Sequence, residues 1–261
     1  MNTATAKALS SMNTIFYEEV SASFSKTRSS AWPGWASLID ELKRAGCNLD
    51  GGDHRDIGVL DVACGNMRFE RFLKEALPHQ SISYIGIDNC TPLLDEGSSD
   101  RFVALDLIDL TVGVNTPSIP CEKSDLVTCF GFFHHIPGLE NRKRFLDILS
   151  GCVKDESFLA ISLWRFLEDN KLASKAEDTH QLGTELLQKL CGSPSELEKN
   201  DCFLPWQDAE GAVRYCHHFD DDEINELIEH ASSQFELAAR YFADGRSDAL
   251  NCYLLFKKKG L

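Results

Sequence analysis

The sequence predicts an α/β fold: a doubly wound, mostly parallel sheet with helices on both faces, plus an N-terminal helical lead and a helical cap insertion. Three observations predict it. Apolar runs of strand length alternate with helical patterns through the middle of the chain. Right-handed crossovers between such strands place helices on both faces of one sheet. The last two apolar runs, QFELAARYFA and ALNCYLLFKK, are separated only by the turn ADGRSD, which finishes a sheet edge with an antiparallel hairpin.

Taken in order, helical spacing over about 10–22 and 35–46 marks the lead, residues 1–50. The turn-rich CNLDGGDHRD then introduces a first strand, IGVLDVA (57–63), a helix, FERFLKEAL, stopped by Pro78, and a second strand, ISYIGID (82–88). This is a βαβ unit. FVALDL (102–107) is a third strand, followed by a Pro/Thr-rich loop to about residue 123. DLVTCF (125–130), a helix within 138–151 and SFLAISLW (157–164) repeat the alternation. From Arg165 the pattern changes to a charged helical segment, read as a cap insertion over 165–205 in a single domain of residues 1–261. A strand near VRYCHHF resumes the α/β order, and the helix DDDEINELIEHA carries its acids at the N-terminus, where the dipole favours them.

Composition narrows the function. The 261 residues are 43% hydrophobic and 26% charged, as in ordinary globular proteins. With 26 Lys+Arg against 41 Asp+Glu the formal charge is −15, which disfavours nucleic-acid binding by charge alone. Phe158–Trp164 is the longest clean apolar stretch, far short of the ~20 residues that span a bilayer, and the N-terminus has no apolar signal core. The expectation is a soluble, unexported, cytoplasmic protein with no membrane association. Ten scattered cysteines with no C-x-x-C pair read as reduced thiols. No spacing among Cys129, His134, His135, Cys216, His217 and His218 matches a structural zinc pattern, so no metal is expected.

The chemistry concentrates at VLDVACGNMRFERFL, where a buried strand ends at Asp61 and the turn Ala63-Cys64-Gly65-Asn66 opens a helix. Small residues there let the backbone approach a ligand. Twenty-three residues beyond Gly65 the next strand ends in Asp88, placed to accept from ribose hydroxyls at the carboxyl edge of the sheet. Strand, small-residue turn, helix, strand and acid in that order indicate a nucleoside-containing cofactor. G-x-G-x-x-G is absent, which disfavours a nicotinamide dinucleotide.

At these residues the chain resembles class I S-adenosylmethionine-dependent methyltransferases, a Rossmann-like family whose first motif is commonly D-x-G-C-G-x-G, and the resemblance implies that the doubly wound sheet is seven-stranded. Here it reads Asp61-Val62-Ala63-Cys64-Gly65-Asn66-Met67, with Ala63 and Met67 where glycine is usual. Met67 is expected to narrow the space beside the methionine moiety or to shift the turn. The resemblance implies S-adenosylmethionine as cofactor, bound by Asp61, Ala63, Cys64, Gly65, Asn66, Asp88, Asn89 and Phe130, with Asp106 at the end of the third strand contacting adenine. A narrower resemblance is to the tRNA methyltransferases that esterify the carboxylate of wobble 5-carboxymethyluridine. It rests on Tyr17-Glu18-Glu19-Val20, Phe24-Ser25-Lys26-Thr27-Arg28, Trp32-Pro33, Phe132-Phe133-His134-His135-Ile136, Trp164, Leu204-Pro205-Trp206, Arg214 to Phe219, and Asn251-Cys252-Tyr253. It implies transfer RNA as acceptor and a small zinc-ribbon activating subunit as partner.

A carboxylate acceptor is ionised above pH ~4 and needs no strong general base, so the enzyme must supply geometry. Arg28 and Arg214 are the candidates to hold it, because a guanidinium bonds a carboxylate bidentately. His134 or His135 would orient the acceptor or take a proton from a hydroxyl or amine. Tyr215, His217 and Phe219 share one strand face, which suggests a pocket wall, and Trp32, Trp164 and Trp206 are candidates to stack on an acceptor base. Two alternatives stay open: a small-molecule acceptor beneath the 165–205 segment, and a cofactor-binding scaffold whose catalysis has lapsed.

Overall fold

The computed structural model describes residues 1–26, 30–49, 56–89, 101–112, 118–191, 196–206 and 211–260, with backbone alone over 21–26. Helix α1 (Thr3–Lys26) opens where the Asn2 side chain accepts from the Thr5 amide at 2.9 Å. Helix α2 (Pro33–Arg44) has proline at its first position, where no amide hydrogen is needed. The core alternates as expected: β1 (Ile57–Val62), α3 (Arg68–Ala76), β2 (Ile82–Asp88), β3 (Phe102–Ala104), β4 (Ser124–Cys129), α5 (Leu139–Gly151) and β5 (Val153–Trp164).

One departure lies between β3 and β4. The third strand stops at Ala104, and residues expected as loop form a further helix, α4 (Leu107–Val112). Asp106 causes this, because its Oδ1 accepts from the amides of Ile108 (2.9 Å) and Asp109 (3.2 Å) and caps a helical turn in place of continuing the strand.

After β5 the chain forms α6 (Asn170–Cys191), β6 (Asp201–Pro205), β7 (Val213–His217), α7 (Asp221–Ala231), β8 (Phe235–Ala243) and β9 (Asn251–Lys258). The main sheet has seven strands in the order β3-β2-β1-β4-β5-β9-β8. β9 alone runs antiparallel, pairing Ile161 with Leu254 on one side and Tyr241 with Tyr253 on the other. The strand at VRYCH does not join this sheet. Its would-be neighbour β5 is already paired by β9, so β7 pairs with β6 in a separate hairpin, Phe203 opposite Tyr215. The segment 165–205 thus supplies α6 and only half of that hairpin.

Four apolar cores occur among the described residues, the smallest formed by Phe166, Ala176, Leu204 and Cys216. Leu60, Val62, Val127 and Leu159 meet Phe145 and Leu149 of α5 and Ile224 and Leu227 of α7 on one face of the sheet. On the other, Val59, Tyr84, Leu126 and Leu255 meet Trp35, Leu38 and Leu42 of α2 and Phe69 and Leu73 of α3. Strands buried on both faces explain their unbroken apolar runs. The third core is small: Leu9 and Met12 of α1, Leu187 of α6, Phe203, Val213 and Tyr215. It fastens α1 to the inserted segment, so the two lead helices serve different parts of the molecule. Among the described residues no helix is long and apolar enough to cross a membrane, and the nine described cysteines are free thiols.

Candidate active site

The strand order reverses between β1 and β4, and at that point in such sheets a crevice opens beyond the carboxyl ends of the strands. Here it is a cavity of about 460 Å³. The β1–α3 turn forms its floor. Ala63 and Cys64 both donate their amides to the Ile87 carbonyl (2.7 and 3.1 Å), and Gly65 donates to Asp88 Oδ2 at 2.8 Å, so the turn is pinned to the end of β2. Ala63, Gly65 and Met67 have φ of 63°, 54° and 55°, the left-handed region that favours glycine. That geometry explains why glycine is usual at the two positions occupied here by Ala63 and Met67.

Met67 does not narrow the cavity. Its side chain is buried in the core between sheet and α2–α3, with Cε beside Gly86, and is absent from the cavity lining. The left-handed backbone turns it under the sheet. By contrast, a Cβ on Gly65 would meet nothing within 4 Å, so that backbone faces open space. The Asp88 carboxylate and the open approach over Gly65 suit the ribose and methionine portions of S-adenosylmethionine.

Asp61, Ala63, Cys64, Gly65, Asn66, Asp88, Asn89, Asp106 and Phe130, all expected at the cofactor, line this one cavity. Asp61 lies deepest. Tyr84 donates to its Oδ2 and Thr128 to its Oδ1 (2.8 Å), yet burial dominates and pushes its carboxyl up to about 6. Asp106, besides capping α4, accepts from Asn89 at 3.4 Å. Phe130 packs edge-on to Phe69 and tilted against Trp35 and Tyr253.

α1 covers the other side. Asn13 and Tyr17 line the cavity with His134 and His135, which sit on a short 3-10 turn after β4. Tyr17 Oη is 2.9 Å from His135 Nε2 and accepts from Arg214 at 2.9 Å. Asn13 Nδ2 is 3.1 Å from His135 Nδ1. His134 lies between rings, 4.0 Å from His135 and 4.8 Å from Trp164. Trp32 reaches the same cavity, seated on Gly131, where a Cβ would come within 2.9 Å of its ring.

The other expected acceptor residues lie farther back. Arg214 is buried among Phe16, Tyr17, Trp164 and Trp206, its guanidinium 5.4–5.9 Å from each ring, and neither it nor Trp164 is part of the lining. His217 and Tyr215 form no wall of this cavity. His217 bridges Asp201 and Glu223 at 2.7 Å each, Tyr215 donates to Asp201, and Glu223 accepts from the fully buried Arg142. Arg142 also donates to the Ile136 carbonyl (3.0 Å), so the network supports the His134–His135 turn from behind. Arg28 lies outside the described residues.

Two groupings of metal-ligand type occur among the described residues, His134–His135–Cys216 and Glu198–Asp201–His217. The first lies beside the Arg214 cation, and in the second Asp201 accepts from the Glu198 amide at 2.8 Å and lies 2.7 Å from His217 Nδ1.

Asn13, Tyr17, Trp35 and Arg68 line the cavity without having been expected there. Arg68 packs over Trp32 and Trp35 and donates to the Ser30 carbonyl at 2.8 Å. A signal for α1 exists in the sequence: Ser10, Asn13, Thr14 and Tyr17 fall at i, i+3, i+4, i+7, a polar stripe adjoining the apolar Leu9, Met12 and Phe16.

No protein-family model matches the chain. It is 24% identical over 225 residues to a tRNA (carboxymethyluridine(34)-5-O)-methyltransferase of Schizosaccharomyces pombe, covering 82% of this chain and 85% of that protein. It is 26% identical over 166 residues to the Arabidopsis thaliana protein of the same name, covering 64% of this chain; the match spans 34% of that longer relative. Among solved structures it is similar to an S-adenosylmethionine-dependent methyltransferase from Clostridium acetobutylicum (TM-score 0.56, 14% identity, 94% of this chain and 99% of that one). Another, from Methanosarcina mazei, gives 0.53 and 13% identity over 78% of this chain and 93% of that one. The chain has the fold of the class I S-adenosylmethionine-dependent methyltransferases.

Proposed function

We propose that this S-adenosylmethionine-dependent methyltransferase esterifies a carboxylate, that of a modified wobble uridine in transfer RNA. One observation carries the cofactor reading: the open Gly65 turn, pinned to Asp88, faces the cavity at the strand-order reversal. Asp88 would hold ribose hydroxyls, Asp61 the cationic end of the methionine moiety, and Phe130 the apolar floor. The bound cofactor supplies an electrophilic methyl on sulfonium. An acceptor carboxylate is already ionised at neutral pH, so this chain's residues would have no proton to remove and would only bind and orient the acceptor oxygen. The residues are therefore asked for alignment, which contributes on the order of 7–11 kcal/mol. The activity for which the two sequence relatives are named and the histidine turn beside the cavity support the tRNA reading. A zinc-ribbon activating subunit and cytoplasmic residence belong to the same proposal, as does Arg28 as the carboxylate clamp.

The net charge of −15 favours a second reading, a small carboxylic-acid metabolite as acceptor. Tritiated-methyl transfer from S-adenosylmethionine into total tRNA and into small-molecule extracts separates the two. The tRNA reading expects label in a nucleoside methyl ester that mild alkali releases as methanol. Alkali-stable label would end the carboxylate reading, and label confined to the small-molecule fraction would end the tRNA reading. Asp88→Ala should weaken cofactor binding about 10- to 100-fold in calorimetry, since a charge-assisted acceptor is lost.

A further inference from the structure

We infer that Tyr84 and Thr128 are positioning residues for the cofactor, holding Asp61 as an oriented, ionised carboxylate whose remaining lone pairs accept from the ammonium group of the methionine moiety. The inference rests on the methyltransferase reading and deepens it at the cofactor's amino-acid end. Asp61 sits on β1, which pairs with β2 on one side and β4 on the other, and Thr128 is its register partner on β4. Val59, Tyr84 and Leu126 share the sheet face that meets α2 and α3, and the period of two puts Asp61 and Thr128 on that face as well. Tyr84 donates to Asp61 Oδ2, and Thr128 donates to Oδ1 at 2.8 Å, so each oxygen is held from a different neighbouring strand. Asp61 reaches the cavity, whereas neither Tyr84 nor Thr128 is part of its lining. The two hydroxyls fix the carboxylate from outside the cavity.

Asp61 is buried, and its two hydrogen-bond partners among the described residues are both neutral. Burial and then the charge of Asp61 push the Tyr84 phenol well above its usual range, so it keeps its hydrogen and donates. Asp88 at the end of β2 raises the Asp61 carboxyl through its charge alone, and Arg68 of α3 lowers it in the same way. The nearby thiols of Cys64 and Cys129 are pushed up by burial and stay neutral. A buried carboxylate held only by neutral donors calls for a cation from outside, because two hydroxyls do not offset its desolvation. Of the cofactor's two cationic groups, the sulfonium has no hydrogen to donate and the ammonium has three. Each Asp61 oxygen keeps a second lone pair to receive them. Removing either hydroxyl leaves burial less opposed, so the carboxyl would take up its proton at a higher pH and lose its hold on the ammonium there.

The test is calorimetric binding of S-adenosylhomocysteine, which keeps the ammonium and lacks the sulfonium, from about pH 5 to about pH 8. Wild-type affinity should fall as pH drops through about 6. Tyr84→Phe should move that fall upward by about 1–2 pH units, the worth of one hydrogen bond to a charged group. Its affinity should then be about 3- to 25-fold below wild type near pH 6.5 and within about twofold near pH 8. Thr128→Val, which keeps the side-chain shape, should move the profile in the same direction, and Thr128→Ser, which keeps the hydroxyl, should give back most of that shift. 5′-Methylthioadenosine, which has no ammonium, should bind with an affinity independent of pH in wild type and in all three variants. A merely structural role for the two hydroxyls would lower affinity equally at every pH. Profiles unmoved in both Tyr84→Phe and Thr128→Val, or the same profile with 5′-methylthioadenosine, would overturn the inference and leave the methyltransferase reading standing. No binding of S-adenosylhomocysteine by wild type at any pH would overturn both.

Discussion

Asp61 is only 3% exposed, and burial outweighs the donations from Tyr84 and Thr128, raising its carboxyl from 3.8 to about 6. A raised folded value contributes stability below the unfolded value that is lost as pH rises through about 6. His218 works in the opposite direction. Burial and the neighbouring Arg165 lower it from 6.5 to about 4, while its Nδ1 accepts from the Leu167 amide, so its contribution is present above 6.5 and lost as pH falls towards 4. Each is worth at most about 3 kcal/mol, and between pH 4 and 6.5 the two oppose each other. Relative to wild type, the thermal midpoint of Asp61→Asn should rise more with pH between 4.5 and 6.5, and that of His218→Asn should rise less. Wild-type slopes in both variants would show that neither group titrates as its burial requires. If Asp61 holds the cofactor's ammonium group, affinity should also weaken about tenfold per pH unit below 6, and Asp61→Asn should flatten that dependence.

At the scale of elements, the β1–α3 turn places two residues of different size in the same left-handed conformation. Left-handed backbone costs an L-residue about 1–2 kcal/mol, whereas glycine adds up to about 1 kcal/mol of unfolded-chain entropy. Ala63 buries little, so Ala63→Gly should be neutral or raise the melting temperature by a few degrees. Met67 is 2% exposed in the core, and deleting its side chain costs about 2–5 kcal/mol, so Met67→Gly should lower stability despite relaxing the backbone. Matching changes in both variants would refute this division. Gly183 tests the α6–β6 contact. Alanine there would add about 1 kcal/mol of helix propensity, but its Cβ would fall 2.0 Å from the Phe203 ring, and overpacking costs typically 1–3 kcal/mol. Gly183→Ala should therefore destabilise the protein in denaturant titration, and stabilisation would mean that α6 does not bear on β6.

Across the whole molecule, −15 charges repel a polyanion beyond contact distance, and the cavity itself presents Glu18, Asp61, Asp88 and Asp106 against Arg68. Such a site favours a cationic cofactor and penalises the approach of RNA. If tRNA is the acceptor of the isolated chain, kcat/KM should rise as salt goes from about 10 to 100 mM, because screening removes repulsion. That is opposite in sign to the counterion-release slope of a basic RNA-binding enzyme. A falling slope would instead place a cationic surface among the residues around the site. The cation–π box around Arg214 and the Arg142–Glu223–His217 network sit beyond this field, buried, and should make little difference to the salt dependence.

How much was legible follows from the range over which each signal acts. The sheet strands, the helices flanking them, the terminal hairpin and the Asp61–Met67 turn with Asp88 are encoded by local periodicity and by residues within one βαβ unit, so the sequence alone determined them. It could not determine that VRYCH would leave the main sheet, since that depends on β9, some forty residues later, occupying the edge of β5. Nor could it show that Met67 points into the core, because side-chain direction at positive φ is settled by what lies beneath the turn. His217 and Tyr215 share a strand face as the pattern requires, but which surface that face meets was decided by Asp201 and Glu223. The Asn13–His135–Tyr17–Arg214 chain joins residues up to two hundred positions apart. No local pattern records such a contact, because it exists only once α1 and β7 close on a common core.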